Sequence, residues 1–93
     1  MAKWTIIHSN GLIVKDGEGY ENLDLSFLPS DVLALQSPDG VTCEIERGDR
    51  ATETHTANDQ NVATSTLSWW SSVSTTWQAA YDAANPPPSD DDA

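Results

Sequence analysis

Two periodicities divide this chain. Between Trp4 and Glu46 apolar residues alternate or stand in short runs rich in Val and Ile, and from Leu67 to Ala84 they recur at helical spacing. Wound at about 100° per residue, Trp70, Val73, Trp77, Ala80, Tyr81 and Ala84 fall within an arc of about 100°, the width of a core-facing stripe. Ser68, Ser71, Ser72, Thr75, Gln78 and Asp82 take the opposite side. Trp69 lies just beyond the stripe's edge, so one of the paired indoles is expected to stay partly uncovered. Ser and Thr are poor helix formers, so this segment needs a surface to pack on before it winds.

The earlier half reads as antiparallel strands. Trp4 to His8 is β-branched and aromatic, Ser9-Asn10-Gly11 supplies a hairpin signal, and Leu12 to Lys15 returns. Lys15-Asp16-Gly17-Glu18-Gly19 is a second turn cluster, followed by an alternation of Tyr20, Leu23, Leu25 and Phe27 that is strand-like from Leu23 and that Pro29-Ser30-Asp31 interrupts. Val32 to Gln36 and Val41 to Glu46 flank Ser37-Pro38-Asp39-Gly40, which suits a type I turn. Val41, Cys43 and Ile45 share one side of the returning strand, with Thr42, Glu44 and Glu46 on the other.

Trp4, Ile6 and Val14 join that apolar side. In the Val32–Gln36 strand either Val32 and Ala34 or Leu33 and Leu35 face inward, and both sides are apolar. A strand apolar on both faces is buried on both, so its second face is expected to meet a partner or another copy of the chain. Residues 48–65 carry Val62 as the one large aliphatic anchor and read as a long loop, with Thr64, Ser65 and Thr66 as candidate helix caps.

The expected fold is therefore α+β: a four- to five-stranded antiparallel meander within 4–47 and a loop over 48–65. One C-terminal helix over 66–84 packs on it, in a single domain spanning 1–85. Pro86-Pro87-Pro88 ends the helix, and a Pro- and Asp-rich tail over 86–93 is expected to be disordered.

Charge narrows the range of functions. Four basic residues stand against fifteen acidic ones, a net charge of −11, and Lys3, Lys15, Arg47 and Arg50 all lie in the first half. Such a chain does not assemble the basic surface that nucleic acid or an anionic membrane requires. The lone Cys43 allows no internal disulfide, and no N-terminal apolar run resembles a signal peptide, so a reducing cytoplasm is the expected compartment of synthesis.

Candidate chemistry is sparse. His8, Cys43 and His55 lack the close ligand pairs of a zinc site. Asp16, Glu18, Glu21 and Asp24 do not follow the spacing of a calcium loop and read as an exposed acidic turn. Cys43 alternates with core positions and has no evident base beside it. No strand-to-helix glycine loop offers a phosphate cradle. The Asp90-Asp91-Asp92 run could dock in a basic groove but reads first as a solvated tail. The expectation is thus no catalytic residue, no metal and no cofactor. The candidate binding residues are Trp69, Trp70, Trp77 and Tyr81 on the helix and Leu33 and Leu35 on the strand.

Three segments, Trp4-Thr-Ile-Ile, Leu28-Pro-Ser-Asp-Val-Leu-Ala-Leu-Gln36 and Glu44-Ile-Glu46, resemble a group of small proteins encoded among the tail and tail-fibre genes of tailed phages infecting marine cyanobacteria. The shared pattern is a Trp-containing opening strand, a P-x-x-[IV]-x-A-[IL]-Q strand, a short turn and an acidic strand, with a helical C-terminal part. In that group a Trp usually follows the Gln, where this chain has Ser37. The resemblance covers about half the chain by pattern, and it implies a virion or virion-assembly role with other phage structural proteins, or the chain itself, as partner. It carries over no catalytic residue. The expected location is the virion, and the host cytoplasm during assembly. The competing expectation is a soluble assembly chaperone or host-targeting protein that binds through its acidic surface.

Overall fold

The computed structural model of the chain describes residues 2–86. It is an α+β fold in which six antiparallel strands form one sheet and a single C-terminal helix packs against it. The strands are β1 (Trp4–Ile7), β2 (Leu12–Lys15), β3 (Glu18–Tyr20), β4 (Val32–Ser37), β5 (Thr42–Asp49) and β6 (Thr54–Ala63), and the helix is α1 (Trp70–Ala84). The order across the sheet is β3-β2-β1-β4-β5-β6. It is not a simple meander, because the chain leaves the β3 edge and re-enters on the far side of β1.

Local chemistry accounts for the turns. The β1–β2 reversal is one 3-10 turn over His8–Asn10 closed by Gly11 at φ +57, so Asn-Gly marks the reversal but Ile7 pairs with Leu12 across four residues. The β2–β3 hairpin turns on Asp16 and Gly17, both at positive φ, the backbone that matches the twist of a two-residue hairpin. In the β4–β5 hairpin Val41 and Thr42 donate their backbone N–H groups to Asp39 Oδ1 at 2.9 and 3.0 Å. The buried Ser37 hydroxyl donates to the Thr42 carbonyl and accepts from the Gly40 N–H.

Several expectations fail here, each for a local reason. Leu23 to Phe27 is no strand: Asn22 sits at φ +60, Asp24 captures the Ser26 N–H, and the inward residues are Leu25 and Leu28, three apart rather than two. Val41 is 58% exposed rather than core, because it belongs to the turn and β5 begins after it. Val14 faces away from the core on β2, where Ile13 takes the inward position. Residues 48–65, expected as a loop, contain the ten-residue β6.

The helix begins at Trp70 rather than 66, with Trp69 as its cap residue and no side-chain cap. Two of the three expected caps are engaged elsewhere: Thr64 donates to the Gly40 and Val41 carbonyls, and Thr66 to that of Ala63. The tail past Pro86 lies outside the described residues.

One core fills the space between sheet and helix. Trp4 and Ile6 of β1, Ile13 of β2, Val32 and Leu35 of β4, and Cys43 and Ile45 of β5 point into it; Leu25 and Leu28 close it from the connecting loop, and Val73 and Trp77 from α1. An aromatic seam fastens the helix. Trp4 meets Trp70 and Trp77 edge-on at 5.6 and 6.3 Å between ring centroids, and Tyr81 stacks on Trp77 at 5.1 Å. The Trp77 indole N–H donates to the Glu18 carbonyl at 3.0 Å. Lys15 lays its ammonium 4.9 Å from the Trp77 ring and 5.4 Å from that of Trp4, a cation–π contact on the same face. The described residues extend 55 Å along their long axis.

Candidate protein-binding face

The sheet's second face is formed by the other half of each strand's alternation. Thr5 and Ile7 of β1, Leu12 and Val14 of β2, and Glu44 and Glu46 of β5 all point away from the helix. None of Ile7, Leu12, Val14, Leu33 and Ala34 belongs to the core or packs against it.

On β4 the sequence left two alternatives open, and the structure takes neither. Val32 pairs with Arg47 and Ala34 with Glu46, two positions along β4 against one along β5, so Leu33 is the extra residue of a β-bulge. A bulge puts two successive side chains on one side. Val32 and Leu35 are therefore fully buried, while Leu33 and Ala34 both turn outward. Leu33 comes to rest over Gly48, where a Cβ would lie 2.8 Å from Leu33 Cδ1 and 2.0 Å from the Thr54 carbonyl oxygen.

Beside it a cavity of about 450 Å³ is lined by Ile7, Leu33 and Ala34 on its apolar side and by His8, Glu46, Arg50 and Glu53 on its polar side. His8 is held below its ordinary pKa, first by burial and then by the Arg50 guanidinium.

The six candidate binding residues thus fall on opposite sides of the sheet. Leu33 alone is on the second face. Leu35 is fully buried and Trp77 is 6% exposed, so neither can be a contact residue; both are core. Trp70 and Tyr81 are half-buried members of the aromatic seam, and Trp69, also half-buried, packs at the core's margin. Sequence reasoning missed Ile7, Leu12 and Val14 as outward residues. The signal was present in Ile6-Ile7 and in Leu12-Ile13-Val14, consecutive apolar residues that make β1 and β2 two-faced in the same way as β4.

Basic charge is largely committed inside the molecule. Arg47 donates from Nε to Asp59 at 2.5 Å and from Nη1 to Asp31 at 2.9 Å, which raises its pKa, chiefly through the Asp59 bond. Arg50 donates to the Val32 and Pro29 carbonyls. Lys15 lies over the indoles, and Lys3 is exposed.

Both sheet edges are blunted. β3 has three residues. β6 carries two bulges: its pairs with Cys43 and Ile45 are Val62 and Asp59, three positions against two, and its pairs with Arg47 and Gly48 are Ala57 and His55, two against one. Asn61 inside the first bulge stands at φ +56. Bulged and very short edges resist strand addition.

Cys43 is buried in the core, and burial raises its thiol pKa. Among the described residues no group of three or more His, Cys, Asp or Glu side chains converges as a metal site, and no helix is long and apolar enough to cross a membrane. Comparison with protein-family models, curated proteins and solved structures gives no match to this chain.

Proposed function

We propose that this chain is a minor structural or accessory protein of a phage particle that binds tail or fibre components through the outer face of its sheet. The observation that carries the binding part is the β4 bulge, which turns Leu33 and Ala34 away from the protein's own core beside Ile7. Half-buried apolar side chains grouped on a face outside the chain's own core favour a partner there.

The particle assignment rests on the resemblance. The segments that carry it include β1, β4 and part of β5, which lie side by side as the middle of the sheet and form the centre of this face. Partners are other particle proteins rather than nucleic acid or membrane, in keeping with a net charge of −11. The work is recognition, with no reaction assigned. Mass spectrometry of purified particles tests it: the chain is expected at stoichiometric level, and its absence would remove the particle reading.

A second reading, a soluble assembly chaperone or host-targeting protein, is favoured by the internal commitment of Arg47, Arg50 and Lys15, which leaves acids to dominate the surface. Such a protein is expected in infected cytoplasm and not in particles.

A further inference from the structure

We infer that the cavity at the Leu33 end of the sheet is a binding site for a free aliphatic α-amino acid, held as its zwitterion. This goes beyond the protein-binding reading and does not depend on it. Ile7, Ala34 and Glu46 form one row across β1, β4 and β5, and the β4 bulge sets Leu33 beside them. The row therefore runs from an apolar floor to a carboxylate. The β5–β6 turn brings Arg50 and Glu53 to the same cavity, and the turn after β1 brings His8. Its volume of about 450 Å³ falls within the range of small-ligand sites.

What selects a zwitterion is that opposite charges line this cavity without meeting. Among the described residues the ion pairs are those of Arg47 with Asp31 and Asp59, so Glu46 and Glu53 pair with neither Arg50 nor His8. Arg50 is not free to close the gap. Its Nε and Nη2 donate to the Val32 and Pro29 carbonyls at 3.0 and 2.6 Å, which fixes the guanidinium and leaves Nη1 for a ligand. Burial and the Arg50 charge hold His8 below its ordinary pKa, so at neutral pH its ring offers one N–H rather than a second cation. Glu53 stands at φ +53, a backbone region that non-glycine residues take sparingly and that is concentrated at ligand sites.

The ligand's ammonium then lies toward Glu46 and Glu53, its carboxylate toward Arg50 and His8, and its side chain on Ile7, Leu33 and Ala34. An α-amino acid carries both charges on one carbon, which matches opposite charges facing one another across a small cavity. A monocation would leave Arg50 opposed, and a monoanion would meet both glutamates. An uncharged aliphatic ligand would desolvate all of them. The cleft that Glu44 shares with Lys3 offers no equivalent, because Lys3 is exposed and no side-chain hydrogen bond fixes its ammonium among the described residues.

The test titrates the full chain, isotope-labelled, with leucine, with leucine amide, which lacks the carboxylate, and with N-acetyl-leucine, which lacks the ammonium. Leucine is expected to shift the amide signals of Ile7, Ala34, Glu46 and Glu53 saturably, with a Kd of about 1 mM or tighter. Each analogue should bind at least tenfold more weakly. Arg50→Gln should abolish binding, but it also releases two carbonyls that hold the turn before β4. The decisive variant is therefore Glu46→Gln with Glu53→Gln, which should bind leucine at least fivefold more weakly with the circular dichroism spectrum unchanged. Glu21→Gln, on the exposed connecting loop, should leave the affinity within twofold.

No saturable shift at about 10 mM leucine, ten times that Kd, would overturn the inference. So would shifts confined to α1, leucine amide or N-acetyl-leucine binding as tightly as leucine, or undiminished binding by the double glutamine variant. None of these outcomes bears on whether particles contain the protein.

Discussion

Replacing Trp77 with Ala is the sharpest test of how this molecule is held together. Trp77 is 6% exposed, lies edge-on to Trp4, stacks on Tyr81 and donates its indole N–H to Glu18 across the β2–β3 corner. A buried Trp carries about 200 Å² of contact surface, and truncation to Ala typically costs 3–5 kcal/mol. A 93-residue chain at ~0.05–0.15 kcal/mol per residue has roughly 5–14 kcal/mol in total. The variant should therefore lose at least about a fifth of that stability, and most of it if the total lies at the low end.

Trp77→Phe separates the terms. It keeps most of the ring contact and loses the N–H donor, worth about 1 kcal/mol net, plus about 1 kcal/mol of apolar area. Urea unfolding followed by far-ultraviolet circular dichroism should rank the midpoints wild type, Phe, Ala, with unchanged slope. Trp69→Ala, at the core's margin, should fall above Trp77→Ala. A loss under about 1.5 kcal/mol for Trp77→Ala, set against the expected range, or a larger loss for Trp69→Ala, would refute the claim that the aromatic seam fastens the helix.

Further expectations follow from single contacts. Gly48→Ala drives a methyl to 2.0 Å from the Thr54 carbonyl and should cost about 3 kcal/mol in thermal or urea unfolding, whereas Gly17→Ala, with open space around it but φ +85, should cost about 1 kcal/mol. Ser37→Ala removes one donor and one acceptor from the buried base of the β4–β5 hairpin and should lower stability by about 2 kcal/mol in the same assay.

The Asp39 carboxylate is held below its ordinary 3.8 by the Thr42 and Val41 N–H groups, Thr42 contributing more. A lowered folded pKa means that its contribution is present above 3.8 and is lost as pH falls through the lowered value. Asp39→Asn keeps the acceptor without the titration, so its urea midpoint should fall less steeply than the wild type's in that window. Parallel pH profiles would contradict this.

The fold was legible where one side of an element is buried and its period uninterrupted. Val73 and Trp77 of the helical stripe, the inward Trp4 and Ile6, and the Cys43–Ile45 alternation read correctly, because helix and sheet cover one another there, whereas Trp70, Ala80 and Tyr81 of the same stripe are half-buried and Ala84 is exposed. β6 was illegible for the opposite reason. Thr54 to Asn58 are exposed on both faces, so no apolar alternation is required of them, and two bulges break whatever period remains.

The outward Leu33–Ala34 pair was half legible: two-faced apolarity showed that a second face existed. Which residues occupy it depends on one extra residue in the β4 ladder, which strict alternation cannot anticipate. The helix start was misplaced because Thr64 and Thr66 looked like caps while their hydroxyls bind carbonyls of the preceding chain.

The aromatic seam joins Trp4 to Trp77, seventy-three positions later. Closure of the interior must therefore wait for the two ends of the sequence to find one another, a long-range encounter that slows folding compared with hairpins made from adjacent residues. Fragments cut in the middle would each keep half of an unlatched clasp, so the molecule should collapse or survive as a unit, with no stable subdomain left behind.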